Sequence, residues 1–177
     1  KSGALETYNR LAALKPDSAP AQFRIASIHM AMQNPSEATN ALKKALTLQP
    51  DYLDAQLALA TLESGQGNHE QALEIARQIQ KKNSKAPAGY ELEGNVLMAQ
   101  KKPDLAAKAL ERAFSISKTS PLMVKMHIAL TQAGKGKLAD TRLAQWLKEH
   151  PADISARIYQ AGIYLTNKQN KAAIDQY

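Results

Sequence analysis

Four histidines, His29, His69, His127 and His150, are the side chains best suited to acid–base or metal chemistry in this chain. None has a second histidine at the H-E-x-x-H spacing that sets two imidazoles on one helix face. Each is read as a core, turn or surface residue. The run Gly134-Lys135-Gly136-Lys137 shares a glycine-lysine pair with phosphate-binding loops. In that register Thr131 takes the place of the first glycine and Leu138 that of the final Ser/Thr, and no strand precedes it. It is read as a turn between helices. Glu91 and Glu93 are too near in sequence to face each other across a cleft as an acid–base pair. The chain has no cysteine, which removes thiolate nucleophiles, thiolate metal sites and disulfides. No catalytic residue, metal site or cofactor is expected, and the chain is read as a non-enzyme.

If chemistry is not the purpose, the elements must be organised for something else. The 177 residues are 44% hydrophobic and 22% charged, the balance of a folded chain rather than a disordered one. Only 5% are aromatic, and much of the apolar content is alanine, which suits close helix-on-helix contact. No apolar run approaches the roughly 18 residues of a membrane-spanning helix. No signal peptide opens the chain, whose start, Lys1-Ser2-Gly3-Ala4, lacks Met, so a removed targeting segment is compatible with it.

The alanines are periodic. Ala4, Ala38, Ala72, Ala106, Ala139 and Ala173 are separated by 34, 34, 34, 33 and 34 residues. Twelve residues before five of them stand Ala26, Ala60, Gly94, His127 and Ala161, small except for the histidine. Twelve residues after, Pro16, Pro50 and Pro151 recur, with Ser84 and Lys118 in the intervening turns. Within one period, Ala21, Ile25, Ile28 and Met32 form a helical stripe over about 19–33. Asn34-Pro35 breaks it, and a second helix over about 36–48 buries Ala38, Ala41, Leu42, Ala45 and Leu48. The corresponding turns, GQGNHE, QKKPDL, AGKGKL and NKQNKA, are polar and rich in Gly, Asn or Pro.

This pattern resembles the tetratricopeptide repeat, a helix pair of about 34 residues with small residues at two fixed places and a proline near its end. The resemblance implies an all-α fold, a right-handed superhelical solenoid of antiparallel helix pairs. It divides the single array into 1–14, the second helix of a truncated repeat; repeats at 19–52, 53–86, 87–119 and 120–153; and a partial repeat at 154–177. The incomplete ends imply a piece of a longer array, since terminal repeats normally carry a polar cap. The repeat at 120–153 is irregular, one residue short at its entry, with His127 and Trp146 where the family has small residues. A local repacking around Trp146 is expected there, with a kink shaping a partner site as the alternative.

In this family the first helices line a groove that binds protein segments. Carried over, the groove residues are Phe23, Ser27 and Met30, then Leu57, Thr61 and Ser64, then Glu91, Asn95 and Met98, then Val124, Ile128 and Thr131, and finally Ile158, Gly162 and Leu165. The family's carboxylate clamp of Lys, Asn and Arg finds a match only in Asn95, so carboxylate tails of chaperones are not expected to bind. The net charge of +7 is uneven: residues 1–70 carry 6 Lys/Arg against 7 Asp/Glu, and residues 71–177 carry 17 against 9. Lys81, Lys82, Lys85, Lys101 and Lys102 form the densest basic clusters, read as solvated turns or as a patch for an acidic polymer or membrane surface. No aromatic side chains interleave them, so nucleic acid is not an expected partner. The stretch Glu74–Phe114, through Ala76–Lys82, Pro87-Ala88-Gly89-Tyr90 and Leu92-Glu93-Gly94, also resembles the bacterial tetratricopeptide lipoproteins of PEP-CTERM/exosortase exopolysaccharide systems. That implies a periplasmic or outer-membrane-anchored scaffold in envelope assembly; without it, a cytoplasmic one. The expected function is a non-catalytic scaffold binding a protein or peptide in its groove, the alternative a binder of acidic polysaccharide through the basic half.

Overall fold

The structure is a computed structural model that describes residues 17–176. The pattern expected for residues 1–14 lies outside them. Among the described residues there are ten helices and no strand. In chain order they are α1 (Ala19–Ala31), α2 (Pro35–Leu48), α3 (Leu53–Gly65), α4 (His69–Lys82), α5 (Ala88–Ala99), α6 (Pro103–Ile116), α7 (Ser120–Gln132), α8 (Gly136–Glu149), α9 (Ile154–Thr166) and α10 (Asn170–Ile174). The short connections make consecutive helices antiparallel neighbours. The chain divides into two compact units between Ile79 and Gln80, within α4.

One backbone device closes every turn from a first helix to its second. Gln33, Gly67, Lys101, Gly134 and Lys168 all have φ between 57° and 87°. The amide after each donates to a carbonyl five residues back: Asn34 to His29, Asn68 to Glu63, Lys102 to Leu97, Lys135 to Leu130 and Gln169 to Tyr164. This is the Schellman closure, which satisfies carbonyls that the helix end would otherwise leave unpaired. Pro35 and Pro103 then open α2 and α6, where their missing N–H costs nothing.

In the first unit the core is thin and rich in alanine. Ile25, Ala26, Ala41, Leu42, Ala45, Ala55 and Leu59 are buried together, with Phe23, Tyr52 and Leu62 packed against them. In the second unit Val96, Leu110, Met126 and Leu143 are the largest fully buried side chains. The periodic alanines are the contact points: Ala38, Ala72, Ala106, Ala139 and Ala173 are all 0% exposed. Gly94 shows why such places stay small, because a Cβ there would stand 2.5 Å from Leu110 Cγ.

Two polar side chains near the starts of α3 and α9 act alike. Gln56 Nε2 donates to the Pro50 carbonyl at 2.8 Å, and Arg157 donates to the Pro151 carbonyl at 3.2 Å. Each ties a first helix to the turn before it. No helix among the described residues is long and apolar enough to cross a membrane.

Candidate functional site

In the first unit the residues expected to line a groove stand on α1 and α3. Ser18 caps α1, its Oγ accepting from Ala21 N at 3.3 Å. Phe23, Ser27 and Met30 follow at spacings of four and three residues, which places them on one helix face; Leu57, Thr61 and Ser64 do the same on α3. Between these faces lies a cavity of about 640 Å³ lined by Met30, Leu57 and Thr61 together with Pro35, Ala58, Leu62, Gly65 and Gln66. The last five were not anticipated from sequence. Pro35, Gly65 and Gln66 belong to helix ends and turns, where a helix-face register carries no information. No charged side chain lines this cavity.

Not every carried-over residue is equally available. Phe23 is half-buried, with its ring centroid 5.3 Å from that of Tyr52. The Ser27 and Thr61 hydroxyls donate to the carbonyls of Phe23 and Leu57, at 2.9 and 2.8 Å, leaving only oxygen lone pairs for a partner. Ser64 Oγ lies 3.2 Å from His69 Nδ1 across the α3–α4 turn.

In the second unit the corresponding face has a different chemistry. Glu91 on α5 accepts from Lys125 Nζ on α7 at 2.7 Å. Asn95, Ile128, Thr131, Ile158, Gly162 and Leu165 are exposed, while Met98 and Val124 are half-buried. Ile158 and Leu165 are 52% and 49% exposed, a strip of aliphatic surface along α9.

The irregular places are filled by polar networks. His127 is buried, with Nδ1 2.9 Å from the Tyr159 hydroxyl and Nε2 3.1 Å from Asp140 Oδ1. Burial, with the Asp140 charge adding to it, pushes the Tyr159 hydroxyl above its usual pKa. Trp146 is buried, stacks on His150 at 3.8 Å, meets Phe114 edge-on and donates to Asp153 Oδ2 at 2.7 Å. Beside it a cavity of about 350 Å³ opens, lined by Phe114, Met123, Met126 and Trp146 and rimmed by the Glu111–Arg142 ion pair. Sequence reasoning anticipated altered space at Trp146 but not a cavity, which depends on how α6, α7 and α8 converge.

Asp153 also caps α9, its Oδ1 accepting from Ala156 N at 3.0 Å. Burial would raise its pKa, but the hydrogen bonds from Ala156 and Trp146 outweigh that and hold it below the usual aspartate value. Among the described residues no group of three or more His, Asp or Glu could hold a metal ion.

The basic residues fall into two places. Lys81, Lys82 and Lys85 lie before α5, and Lys101 and Lys102 lie after it. Twelve helical residues, roughly 18 Å, separate the two clusters, so they are not one patch.

The sequence model described as the tetratricopeptide repeat protein 21 C-terminal ARM domain matches residues 2–140. No curated protein matches the chain. Among solved structures, a thermophilic TPR protein of Thermus thermophilus is 19% identical with a TM-score of 0.70, covering 90% of this chain and 88% of that one. YrrB, a TPR protein with an unusual peptide-binding site, is 16% identical with a TM-score of 0.64, covering 98% and 90%. MamA is 18% identical with a TM-score of 0.70, covering 85% and 88%. At these identities the likeness is one of fold: the all-helical solenoid of tetratricopeptide proteins.

Proposed function

Because the chain belongs to the tetratricopeptide repeat protein 21 C-terminal ARM domain family, we propose that it is a non-catalytic scaffold that binds an extended or helical segment of another protein along its first helices. The observation that carries this reading is the neutral cavity between α1 and α3. Its volume lies in the range of sites that accept bulky apolar groups, and its walls are apolar with Thr61 and Gln66 among them. An apolar anchor of the partner enters it, and the absence of lining charge favours a neutral segment over a carboxylate tail. Within the second unit, considered by itself, the Glu91–Lys125 pair and the aliphatic strip of α9 offer mixed polar and apolar contacts of the same kind. The peptide-binding site of YrrB supports the same use of this fold.

The setting we propose is bacterial envelope or exopolysaccharide assembly, supported by the lipoprotein resemblance of Glu74–Phe114. Fractionation of the native host tests it: recovery in the envelope supports it and recovery in the cytoplasm rejects it.

For the binding itself, peptides are selected from a displayed random library on the whole chain and then measured against Leu57→Glu and Thr61→Arg variants that retain wild-type helicity. Selected peptides should share an apolar anchor and lose at least about tenfold in affinity on either variant, as expected when a buried anchor contact is removed. Peptides that bind both variants as well as the wild type would reject the α1–α3 cavity as the site.

A further inference from the structure

The three turns that close the first helices of the second unit leave by the same edge, because the helices alternate in direction. Each, taken with the first two residues of the helix after it, carries two exposed lysines: Lys101 and Lys102, Lys135 and Lys137, Lys168 and Lys171. Lys135 Nζ reaches Asp104 Oδ1 at 2.7 Å, which joins the first two turns side by side. Within seven residues of the starts of the helices that follow, the acids are Asp104, Asp140 and Asp175, half the number of lysines, so the edge is cationic.

Apolar side chains accompany the lysines. The third residues of α6 and α8, Leu105 and Leu138, are 49% and 43% exposed. The corresponding residues of α2 and α4 are Glu37 and Gln71, and the corresponding turns of the first unit contain no lysine. Lysines and protruding leucines therefore occur together on this edge of the second unit and not in the matching turns of the first. A soluble polyanion would use the lysines alone. Two solvent-facing leucines set among six lysines fit a surface that is anionic outside and apolar just beneath.

We propose that this edge docks on a membrane of anionic lipids, with the lysines at the headgroup phosphates and Leu105 and Leu138 entering the boundary with the acyl chains. The proposal is independent of the groove, which lies on helix faces rather than at these turns. Each lysine near the headgroups contributes roughly fivefold to partitioning, and salt weakens that contribution.

The test is co-sedimentation of the whole chain with vesicles of phosphatidylglycerol or of phosphatidylcholine, alongside binding to alginate as a linear acidic polysaccharide. Three variants are compared: Lys102→Gln/Lys137→Gln/Lys168→Gln/Lys171→Gln, Leu105→Gln/Leu138→Gln, and Lys81→Gln/Lys82→Gln/Lys85→Gln from the other end of α5. Gln71 already occupies the place of Leu105 in the first unit, so glutamine suits that position, and circular dichroism verifies each fold. Salt-sensitive binding to phosphatidylglycerol alone is expected, reduced roughly tenfold or more by the first variant, several-fold by the second and little by the third. The proposal is overturned if phosphatidylglycerol vesicles do not bind or if the third variant loses as much as the first. Binding to vesicles and alginate alike, indifferent to the leucines, also overturns it, in favour of a polyanion site.

Discussion

Gly94 and Trp146 bracket what a single side chain can do in this fold. At Gly94, α5 and α6 approach so closely that even a methyl group collides with the buried Leu110. Gly94→Ala should destabilise the protein by about 1–3 kcal/mol, the usual cost of overpacking. Combining it with Leu110→Val should show a coupling beyond additivity in urea midpoints; simple additivity would mean the two do not collide. Trp146 is the opposite case, a large side chain at a small-residue place, held by the Asp153 carboxylate. Asp153→Ala removes that bond and the α9 cap, and should cost about 1 kcal/mol at pH 7. Since the folded pKa is below the unfolded one, this stability is fully present above about pH 4 and is lost as pH falls through the folded value. The gap between wild type and variant should therefore narrow in acid unfolding at pH 3; a gap that stays constant would assign the effect to packing. The requirement for a small residue at Gly94 was legible from periodicity. The partner of Trp146 was not, because a contact seven residues away across a turn leaves no periodic trace.

At the scale of the element, helix positions were legible because proline, glycine and asparagine punctuate them. α1 and α2 occupy Ala19–Ala31 and Pro35–Leu48, against expectations of about 19–33 and 36–48. The differences lie at the ends, where the left-handed residue of the Schellman turn stops the first helix and proline starts the second. That turn was only half visible in sequence, since glycine fills the left-handed position at Gly67 and Gly134 but Gln33, Lys101 and Lys168 fill it elsewhere. A side chain there clashes with the carbonyl that follows, at about 1–2 kcal/mol, which glycine avoids while losing more entropy on folding. Gln33→Gly should accordingly stabilise by up to about 1 kcal/mol, and Gly67→Ala should destabilise by about 1 kcal/mol. Thermal unfolding of the pair is the check, and equal shifts of one sign would contradict the assignment. Ala72→Leu, at a fully buried alanine of α4, should cost about 1–3 kcal/mol by overpacking. An unchanged urea midpoint would place Ala72 outside the packing.

For the whole molecule, a solenoid buries only the surface between neighbours and leaves long faces and edges free for partners. The sequence indicated which residues share the first-helix face, because a constant period transfers one register to every repeat. It did not indicate which of them are already engaged, as Phe23 is with Tyr52 and Glu91 is with Lys125. Nor did it reveal the lysine and leucine edge, which exists only once the turns are stacked. The central claim is that the α1–α3 face receives a protein segment, and a photo-crosslinking amino acid placed on that face reads it most directly. It is placed at Ser27, on that face of α1 but outside the cavity lining, or at Lys44, exposed on α2, and irradiated with the peptide selected on the wild-type chain. Crosslinking from position 27, absent from position 44 and abolished by Leu57→Glu, is the predicted result. Crosslinking from position 44 alone would contradict it.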